Sequence, residues 1–337
     1  MKVSVVIPCR NEKAFIAKCI EAIYLSELPS NVQLTVIVVD GMSNDGTREE
    51  LDGLQQIYTS LNVVDNIQQL TPIAFNLGIR FCDFDFLQII GARHIITSNY
   101  IAKSIQILSQ SPDIWCVGGK INNVYTTEDS QVISEAMSTS FGMGLGNFRT
   151  LNKSSFTDTV TSPMYPKFVF EKIGYFDEQL VRNQDDDFNY RVSKAGGKIW
   201  FESEIALDYY VRSNYSGLIK QFYQYGYWKV FVNTKHKTFT TLRQLVPPFF
   251  VLYVFTLLFL PILPFIFILF YSLPLFSYMI MLVLVSIRCS KKSTTLIAFI
   301  RTFLILHFSY GFGYLHGILN FILLKRKPSK NQMRLSR

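Results

Sequence analysis

The sequence predicts an α/β fold with a mostly parallel sheet, followed by apolar C-terminal helices. Over the first 200 residues, short β-branched runs alternate with segments of helical periodicity, which is the pattern of βαβ units. Residues 246–287 contain no charged residue, and this run is roughly twice the ~20 apolar residues that cross a bilayer. The chain should therefore combine an α/β domain with transmembrane or interfacial helices.

Composition limits the classes of partner. The 337-residue chain has a formal net charge of +8, and Lys and Arg flank its apolar C-terminal third, so the charge indicates a membrane surface and membrane lipids. No helix-turn-helix, zinc-finger or interleaved basic and aromatic pattern is present, so we expect no nucleic-acid partner. The five cysteines are scattered, without a CxxC pair, as in a reducing compartment. No export signal is visible at the start, so the first two thirds should be cytoplasmic.

Each element has its own local signal. Strands are predicted at residues 3–7, 34–39, 61–64, 84–90, 115–117 (ending at Gly118-Gly119) and 198–201. Helices are predicted near residues 15–24, 73–80, 98–110 and 167–176, and a further helix is predicted to open at the capping box of residues 47–50. Ligands of such folds lie beyond the carboxyl ends of the strands. Residues 8–12, 40–45 and 91–94 should therefore gather at one edge of the sheet.

An acidic stretch at residues 182–191 is where we expect the chemistry. Asp185, Asp186 and Asp187 stand side by side and repel one another, so one of them is expected to have a raised pKa and to accept a proton. The stretch should open a short helix that ends at Gly196. An alternative is that acidic residues in a first turn simply complement the helix dipole.

The glycine-rich segment 141–147 lacks the GxGxxG spacing and follows no clear strand. It predicts a flexible loop over the site or a plain surface loop.

In the C-terminal region, Pro261, Pro264 and a break at Ser272-Leu273-Pro274 predict two spans, at about residues 247–269 and 273–287. For residues 296–324 the sequence predicts either one long tilted span or an interfacial helix followed by a span. Lys and Arg cluster before, between and after these segments, and an even number of crossings keeps every cluster in the cytoplasm. We expect a cytoplasmic domain at 1–230, a juxtamembrane linker at 231–245, membrane helices at 246–325 and a basic cytoplasmic tail at 326–337.

Five motifs, at residues 4–12, 38–47, 71–79, 182–200 and 209–229, stand in an order that resembles family 2 glycosyltransferases. The resemblance covers about residues 1–245 and is to the succinoglycan type that builds bacterial exopolysaccharides. It implies a GT-A fold, a nucleotide-sugar donor (by family habit a UDP-sugar) and transfer with inversion to a lipid-linked saccharide. It also implies a bacterial inner (plasma) membrane, with the catalytic domain in the cytoplasm.

The resemblance also implies roles for single residues. Asp185 matches the catalytic aspartate, which accepts the proton of the acceptor hydroxyl while that oxygen attacks the anomeric carbon. Asp186 and Asp187 belong to the same catalytic stretch, and Asp40 is expected to hydrogen-bond the uracil or guanine edge. The other donor-binding candidates are Pro8, Arg10, Asn11, Glu12 and Asp45. The other substrate candidates are Gln184, Arg191, Arg212, Gln221 and Trp228.

Two of these assignments have structural alternatives. Asp187 and Arg191 also fit an ordinary i,i+4 ion pair on a helix. The aromatic and cationic cluster at residues 212–229 also fits an interfacial anchor.

One motif departs from the family pattern. Relatives carry an acidic motif that binds a divalent metal, usually Mg²⁺ or Mn²⁺, where this chain reads Gly91-Ala92-Arg93-His94. Hard cations prefer oxygen ligands, so we expect Arg93, with His94, to neutralise the donor diphosphate directly and no metal at this position. The alternatives are a metal held elsewhere, or lost activity.

The sequence therefore predicts a membrane-attached inverting glycosyltransferase for capsule or exopolysaccharide synthesis. A processive polysaccharide synthase is one rival, but the chain lacks a Gln-x-x-Arg-Trp motif and has few spans. A catalytically silent subunit that binds a partner transferase is the other. The missing acidic motif supports that rival, and the intact stretch 184–187 opposes it.

Overall fold

The computed structural model describes residues 1–125, 127–144, 148–211, 214–262, 264–290 and 293–328. The chain forms two compact units. Met1–Val124 with Gly146–Tyr210 is the α/β unit, and Tyr125–Leu145 with Val211–Arg337 is the helical unit. The expected division into cytoplasmic domain, linker, membrane helices and tail stays a prediction.

One mixed sheet of nine strands organises the α/β unit. Its strands are Lys2–Cys9 (β1), Gln33–Asp40 (β2), Leu61–Asp65 (β3), Phe86–Ile89 (β4), His94–Ile96 (β5), Ile114–Val124 (β6), Ser155–Thr157 (β7), Thr161–Pro166 (β8) and Lys198–Tyr210 (β9). The order is β3-β2-β1-β4-β8-β6-β9-β5, with β7 also on β9. The half from β3 to β4 is parallel, as the sequence predicts. Antiparallel β8 separates β4 from β6, so the other half is mixed.

Helices connect these strands and form the second unit. In the described chain they are Lys13–Tyr24 (α1), Thr47–Ile57 (α2), Thr71–Phe81 (α3), Tyr100–Gln110 (α4), Glu128–Met137 (α5), Ser140–Met143 (α6), Lys167–Ile173 (α7), Gln184–Lys194 (α8), Tyr215–His236 (α9), Val246–Thr256 (α10), Phe265–Cys289 (α11) and Ser293–Gly317 (α12). The acidic stretch opens α8, as predicted, and the chain turns at Gly196 with φ +95°.

The two faces of the sheet are buried by different residues of the same strands. Val5 and Ile7 of β1 pack in one apolar cluster with α1. Val6, between them, packs in a second cluster with α3 and with Phe188 of α8. This alternation follows from the two-residue period of a strand, and it fixes α8 on the sheet through its apolar face.

Two local predictions were wrong. β6 does not end at Gly118 and Gly119 but continues through them. A Cβ added to Gly118 would lie 2.4 Å from the Thr161 carbonyl oxygen, and one added to Gly119 would lie 2.5 Å from the Ile205 carbonyl oxygen. The glycines therefore permit close strand packing. The capping box at Thr47 is absent: Gly46 precedes α2 with φ +93°, and the Thr47 hydroxyl donates to Asp45 instead.

Among the described residues of the helical unit, three helices are long and apolar enough to cross a membrane, at Leu242–Phe259, Ile266–Cys289 and Thr295–Leu323. The predicted break at residues 272–274 is wrong, because α11 continues through Pro274. The α-helical conformation is interrupted earlier, at the 3₁₀ segment Leu257–Ile262 and at Pro264. Pro264 stands directly before α11, and a proline at the start of a helix breaks no helical hydrogen bond. The number of crossings stays a prediction.

The glycine-rich segment is partly helical. Phe141 of α6 packs 5.1 Å from Phe303 and 5.0 Å from His307, measured between ring centroids. Its carbonyl oxygen lies 2.8 Å from His307 Nε2. Residues 141–143 are thus anchored in the helical unit, and residues 145–147 of the predicted loop lie outside the described residues.

Gly78 of α3 offers a direct test of this packing. An added Cβ would lie 2.5 Å from Val6 Cγ1 and 3.2 Å from Val39 Cγ2, and overpacking costs about 1–3 kcal/mol. We expect Gly78→Ala to lower the melting temperature of the protein in detergent. The control is Gly53→Ala on the exposed face of α2, where nothing lies within 4 Å; helix propensity should raise stability there by up to about 1 kcal/mol. Equal melting temperatures for the two variants would contradict the packing.

Candidate functional site

Loops after neighbouring strands meet at one edge of the sheet, as the sequence predicts. Cys9 of β1 lies opposite Asp40 of β2 in a parallel register, so both strands end at the same level. The Asn11 N–H donates to Ser43 Oγ at 2.8 Å, and the Asn44 N–H donates to Asn11 Oδ1 at 3.0 Å. The loops that follow β1 and β2 are therefore joined directly.

Two aspartates hold the second of these loops in shape. Asp40 is fully buried; its carboxylate accepts from the N–H and hydroxyl of Ser43, and Arg48 Nη1 lies 3.3 Å from Oδ2. Asp45 accepts from Thr47 and from the Lys13 N–H. Partial burial raises the pKa of Asp45, but these hydrogen bonds outweigh it and hold the pKa below its ordinary value.

Arg93 brings the third loop to the same edge. Its Nε donates to Glu12 Oε2 at 2.7 Å, and the two side chains are only 24% and 11% exposed. The guanidinium also lies over the Phe15 ring, 4.6 Å from the centroid. A charge-assisted bond and a cation–π contact fix the direction of this side chain. The edge therefore has a positioned cation in the loop that follows β4.

Arg10 and Pro8 complete the donor-binding candidates after β1. Arg10 covers the backbone of Gly41, since a Cβ added to Gly41 would lie 3.3 Å from Arg10 Cβ and Cδ. Pro8 pairs with Val39 inside the parallel ladder. Arg10 thus belongs to the joined loops, whereas Pro8 belongs to the strand beneath them.

His94 is held in the sheet. Its Nδ1 lies 2.7 Å from Ser162 Oγ and accepts from the Gly91 N–H at 3.3 Å. Burial, with a smaller effect from Arg149, lowers the pKa of His94 to about 4. The imidazole is therefore neutral near pH 7. Only Arg93 of the predicted pair supplies positive charge, and any contribution of His94 to donor binding is restricted to hydrogen bonding.

The residues at this edge do not fit a divalent metal site. Glu12 is paired with Arg93, and the carboxylates of Asp40 and Asp45 already accept hydrogen bonds. Across the described ranges, no three His, Cys, Asp or Glu side chains come together at a spacing that could hold a metal. Hard cations require several oxygen ligands, and the described residues at this edge do not supply such a set.

The acidic stretch separates into an exposed and a buried carboxylate. Asp185, in the first turn of α8, is exposed, and Asp186 is half-buried. Asp187 is fully buried, and its Oδ2 accepts from Arg191 Nε at 2.9 Å. The i,i+4 pair considered as an alternative is thus present. The other two guanidinium nitrogens donate to the carbonyl oxygens of Ile173 and Tyr175, at 2.7 and 2.8 Å.

Asn76 of α3 also bonds to the segment that connects α7 to α8, to which the Arg191 guanidinium donates. Its Nδ2 donates to the Phe176 carbonyl oxygen at 2.9 Å and to Glu178 Oε1 at 2.8 Å, while its Oδ1 accepts from the Phe176 N–H. Asn76 is 1% exposed, so these bonds are shielded from water. Asn76 and Arg191 together form what we call the α8 clamp. Arg191 was among the residues predicted from the sequence, whereas Asn76 was not, although a lone amide on an apolar helix face was its signal.

Residues 159–162, at the start of β8, contact both His94 of β5 and helix α8. Ser162 bonds to His94, and Thr159 Oγ1 accepts from Asn189 Nδ2 of α8 at 3.0 Å. Ser162 has φ +41°, and Asn183, directly before α8, has φ +60°. Left-handed backbone at non-glycine residues costs about 1–2 kcal/mol each and clusters at functional sites. No local sequence signal indicated Ser162.

The remaining predicted residues are distributed between the units. Gln184 is half-buried at the first position of α8. Gln221 and Trp228 belong to α9 of the helical unit, where Gln221 Nε2 donates to Tyr225 Oη at 2.7 Å. Trp228 is 1% exposed and packs on Tyr227 and Phe321, which favours a core role over substrate contact. Arg212 lies outside the described residues.

Comparison with known proteins agrees with this geometry. The chain is 29% identical over 231 residues to dolichyl N-acetyl-alpha-D-glucosaminyl phosphate 3-beta-D-2,3-diacetamido-2,3-dideoxy-beta-D-glucuronosyltransferase of Methanococcus voltae, covering 66% of this chain and 71% of the relative. It is 27% identical over 246 residues to succinoglycan biosynthesis protein ExoA of Rhizobium meliloti, covering 72% and 73% of the two chains.

The fold also matches solved glycosyltransferases. The mannosyltransferase PcManGT of Pyrobaculum calidifontis, solved with GDP-Man and Mn²⁺, superposes with a TM-score of 0.51 at 16% identity. The match covers 66% of this chain and 61% of that structure, so the chain spans less than two thirds of its length. The model of the family described as Glycosyl transferase family 2 matches residues 4–174, slightly more than half of the chain. With this match, and with a GT-A-like fold around the joined loops, the chain belongs to glycosyl transferase family 2.

Proposed function

We propose that this chain is a membrane-attached transferase that moves a sugar from a nucleotide-sugar donor, a UDP-sugar by family habit, to a lipid-linked saccharide, with inversion. One observation carries the proposal: Asp185 is an exposed carboxylate at the start of a helix that the α8 clamp fixes in place. The two relatives support the acceptor class, since one is named for a dolichyl-linked phosphate sugar and the other for succinoglycan biosynthesis.

In this mechanism, Asp185 is the general base. Its exposed carboxylate accepts the proton of an acceptor hydroxyl as that oxygen forms a bond to the anomeric carbon. The bond from that carbon to the diphosphate oxygen breaks on the opposite face, and the electron pair leaves with the nucleoside diphosphate. Asp187 does not compete for this role, because it is buried and paired with Arg191.

Arg93 would neutralise the leaving diphosphate. Glu12 takes only Nε of the guanidinium, so the Nη groups are the part that would face phosphate oxygens. A guanidinium matches phosphate oxygens in bidentate geometry and stays charged at every relevant pH. Asn11, Arg10, Asp40 and Asp45 shape the joined loops around the nucleotide.

The compartment follows from the donor and the apolar helices. Nucleotide sugars are expected on the cytoplasmic side, and the three helices that could cross a membrane supply the attachment. The proposed location is a bacterial inner membrane, with the catalytic unit in the cytoplasm.

Replacing the base tests the proposed reaction. We expect Asp185→Asn to reduce nucleoside-diphosphate release from the accepted sugar nucleotide by about 10²–10⁴-fold, the usual contribution of a general base. The measurement is release from a panel of sugar nucleotides, using membranes that contain the protein and lipid extract as acceptor. Glu21→Gln, an exposed carboxylate of α1 outside the site, is the matched control. If the wild-type protein releases no nucleoside diphosphate from any donor, the result would contradict this proposal and favour a catalytically silent subunit that binds a partner transferase.

The charge of Arg93 can be tested by graded substitution. We expect Arg93→Gln to reduce turnover by about 10²–10³-fold, as for loss of one group that stabilises developing charge. Arg93→Lys should keep part of the activity, because it keeps the charge but loses bidentate geometry. Equal activity of the lysine and glutamine variants would contradict a role for the charge.

The α8 clamp predicts a defect in turnover more than in donor binding. Asn76→Ala leaves the Phe176 N–H and carbonyl unpaired, at about 1–3 kcal/mol each, and should displace the start of α8. We expect kcat to fall up to about 10²-fold, with the KM for donor nearly unchanged because the joined loops are untouched. Asn62→Ala on β3, whose Nδ2 bonds only locally to the Ser60 carbonyl oxygen, is the control. A fall in stability with an unchanged kcat per folded molecule would make the clamp structural only.

A further inference from the structure

Helices α9 and α12 of the helical unit run side by side in the same direction. Near the start of α9, the Arg301 guanidinium lies over the Tyr215 ring, 4.2 Å from its centroid. Further along, Gly313 packs on the carbonyl oxygen of Tyr223, and Gly317 packs on that of Tyr227. Small residues at these positions let the two backbones approach closely. The two helices therefore move as one element, and wherever α12 lies, α9 lies beside it.

Both ends of this helix pair are basic. At the end where α9 starts, Arg301 and Arg288 are exposed. At the other end, Lys235 and Lys237 close α9, and the exposed residues Lys325, Arg326 and Lys327 follow α12. The 25 residues of α12 correspond to about 37 Å of helix. If the pair stood across a bilayer, one basic cluster would be on each side, against the positive-inside rule.

The composition of α9 also opposes insertion. Gln224, Lys229 and Asn233 are buried within the helical unit, and Asn233 Nδ2 donates to Gln244 Oε1 at 2.8 Å and to Tyr314 Oη at 3.0 Å. Each lysine carried to the bilayer centre costs about 2.5–3.5 kcal/mol. Of the three lysines of α9, at residues 220, 229 and 235, Lys229 lies far from both ends of the helix, so a transmembrane pair of α9 and α12 would carry this cost.

The hairpin of α10 and α11 has the opposite character. Its tip is uncharged, and the large apolar side chains there are exposed, with Leu258 at 74%, Phe259 at 64% and Phe267 at 59%. The long apolar segment of α11 is only 6% buried. Apolar surface of this extent suits hydrocarbon.

We infer that α9 and α12 lie along the surface of a bilayer with anionic headgroups, and that only the α10–α11 hairpin enters it. The basic clusters at both ends of the pair then face the headgroups, at about 1 kcal/mol for each Lys or Arg near the surface. In this arrangement α12, although long and apolar enough to cross, does not cross. The start of α9, the start of α12 and the basic residues after α12 share one side of the membrane.

Single-cysteine labelling tests this arrangement. The background replaces the two half-buried cysteines, Cys82 and Cys289, by serine, and Cys9, Cys19 and Cys116 are buried. Three probes are compared in intact and in lysed spheroplasts with a membrane-impermeant maleimide. They are Thr238→Cys after α9, Pro328→Cys after α12, and native Cys289 in a Cys82→Ser chain.

We expect all three probes to be unlabelled in intact spheroplasts and labelled after lysis. Labelling of Thr238→Cys or Pro328→Cys in intact spheroplasts would overturn the inference, because one end of the pair would then be external. A probe that reacts only after denaturation in detergent would overturn it as well, since that position would be buried in the bilayer. Membrane-fraction yield controls for folding, and the readout does not depend on whether the chain transfers sugar.

Discussion

Three carboxylates of the α/β unit with little exposure to solvent are paired with cations, and this pairing decides which residues of the site are available for chemistry. Asp40 is buried against Arg48, Glu12 is held by Arg93, and Asp187 is held by Arg191. An unpaired buried charge would cost several kcal/mol, so these three carboxylates are committed to structure. Asp185 differs because it is exposed to water. The pairing thus separates one candidate base from a stretch of three carboxylates that look equivalent in sequence.

The same pairing gives Arg93 its proposed role. A departing diphosphate is stabilised by nearby positive charge, and one structural neighbour was solved with Mn²⁺ and GDP-Man. Here the edge has a guanidinium fixed by Glu12 and Phe15. A fixed cation loses little entropy when it meets phosphate oxygens, and its charge is less screened at a partly buried edge than in water. An arginine in this position can therefore supply charge without a set of metal ligands.

Local patterns predicted the parallel half of the sheet and the start of α8, because both depend on residues close together in sequence. The joining of the loops after β1, β2 and β4 followed from parallel topology alone. The antiparallel insertion of β8 was not predictable in this way, since residues 161–166 carry no strong strand signal. Asn76 and Phe176 are 100 residues apart, and Ser162 meets His94 across 68 residues. Such contacts appear only when the fold is known.

The departures from local rules have physical causes as well. Gly118 and Gly119 lie within a strand because neighbouring backbone approaches too closely for a side chain. Pro274 lies within α11, a helix long and apolar enough to cross a membrane, and hydrocarbon around such a helix would favour continued backbone hydrogen bonding over an open break. In both cases tertiary or solvent context outweighs the intrinsic preference of the residue.

In the proposed function, Arg93 holds the donor diphosphate without a metal. Titration of the purified protein with UDP and with GDP, in chelator and then in excess Mn²⁺, measures this directly. We expect one nucleotide to bind with the same affinity in both conditions, and Arg93→Gln to weaken this binding at least about tenfold, which corresponds to 1.4 kcal/mol. Binding that requires Mn²⁺ and is unaffected by Arg93→Gln would contradict it.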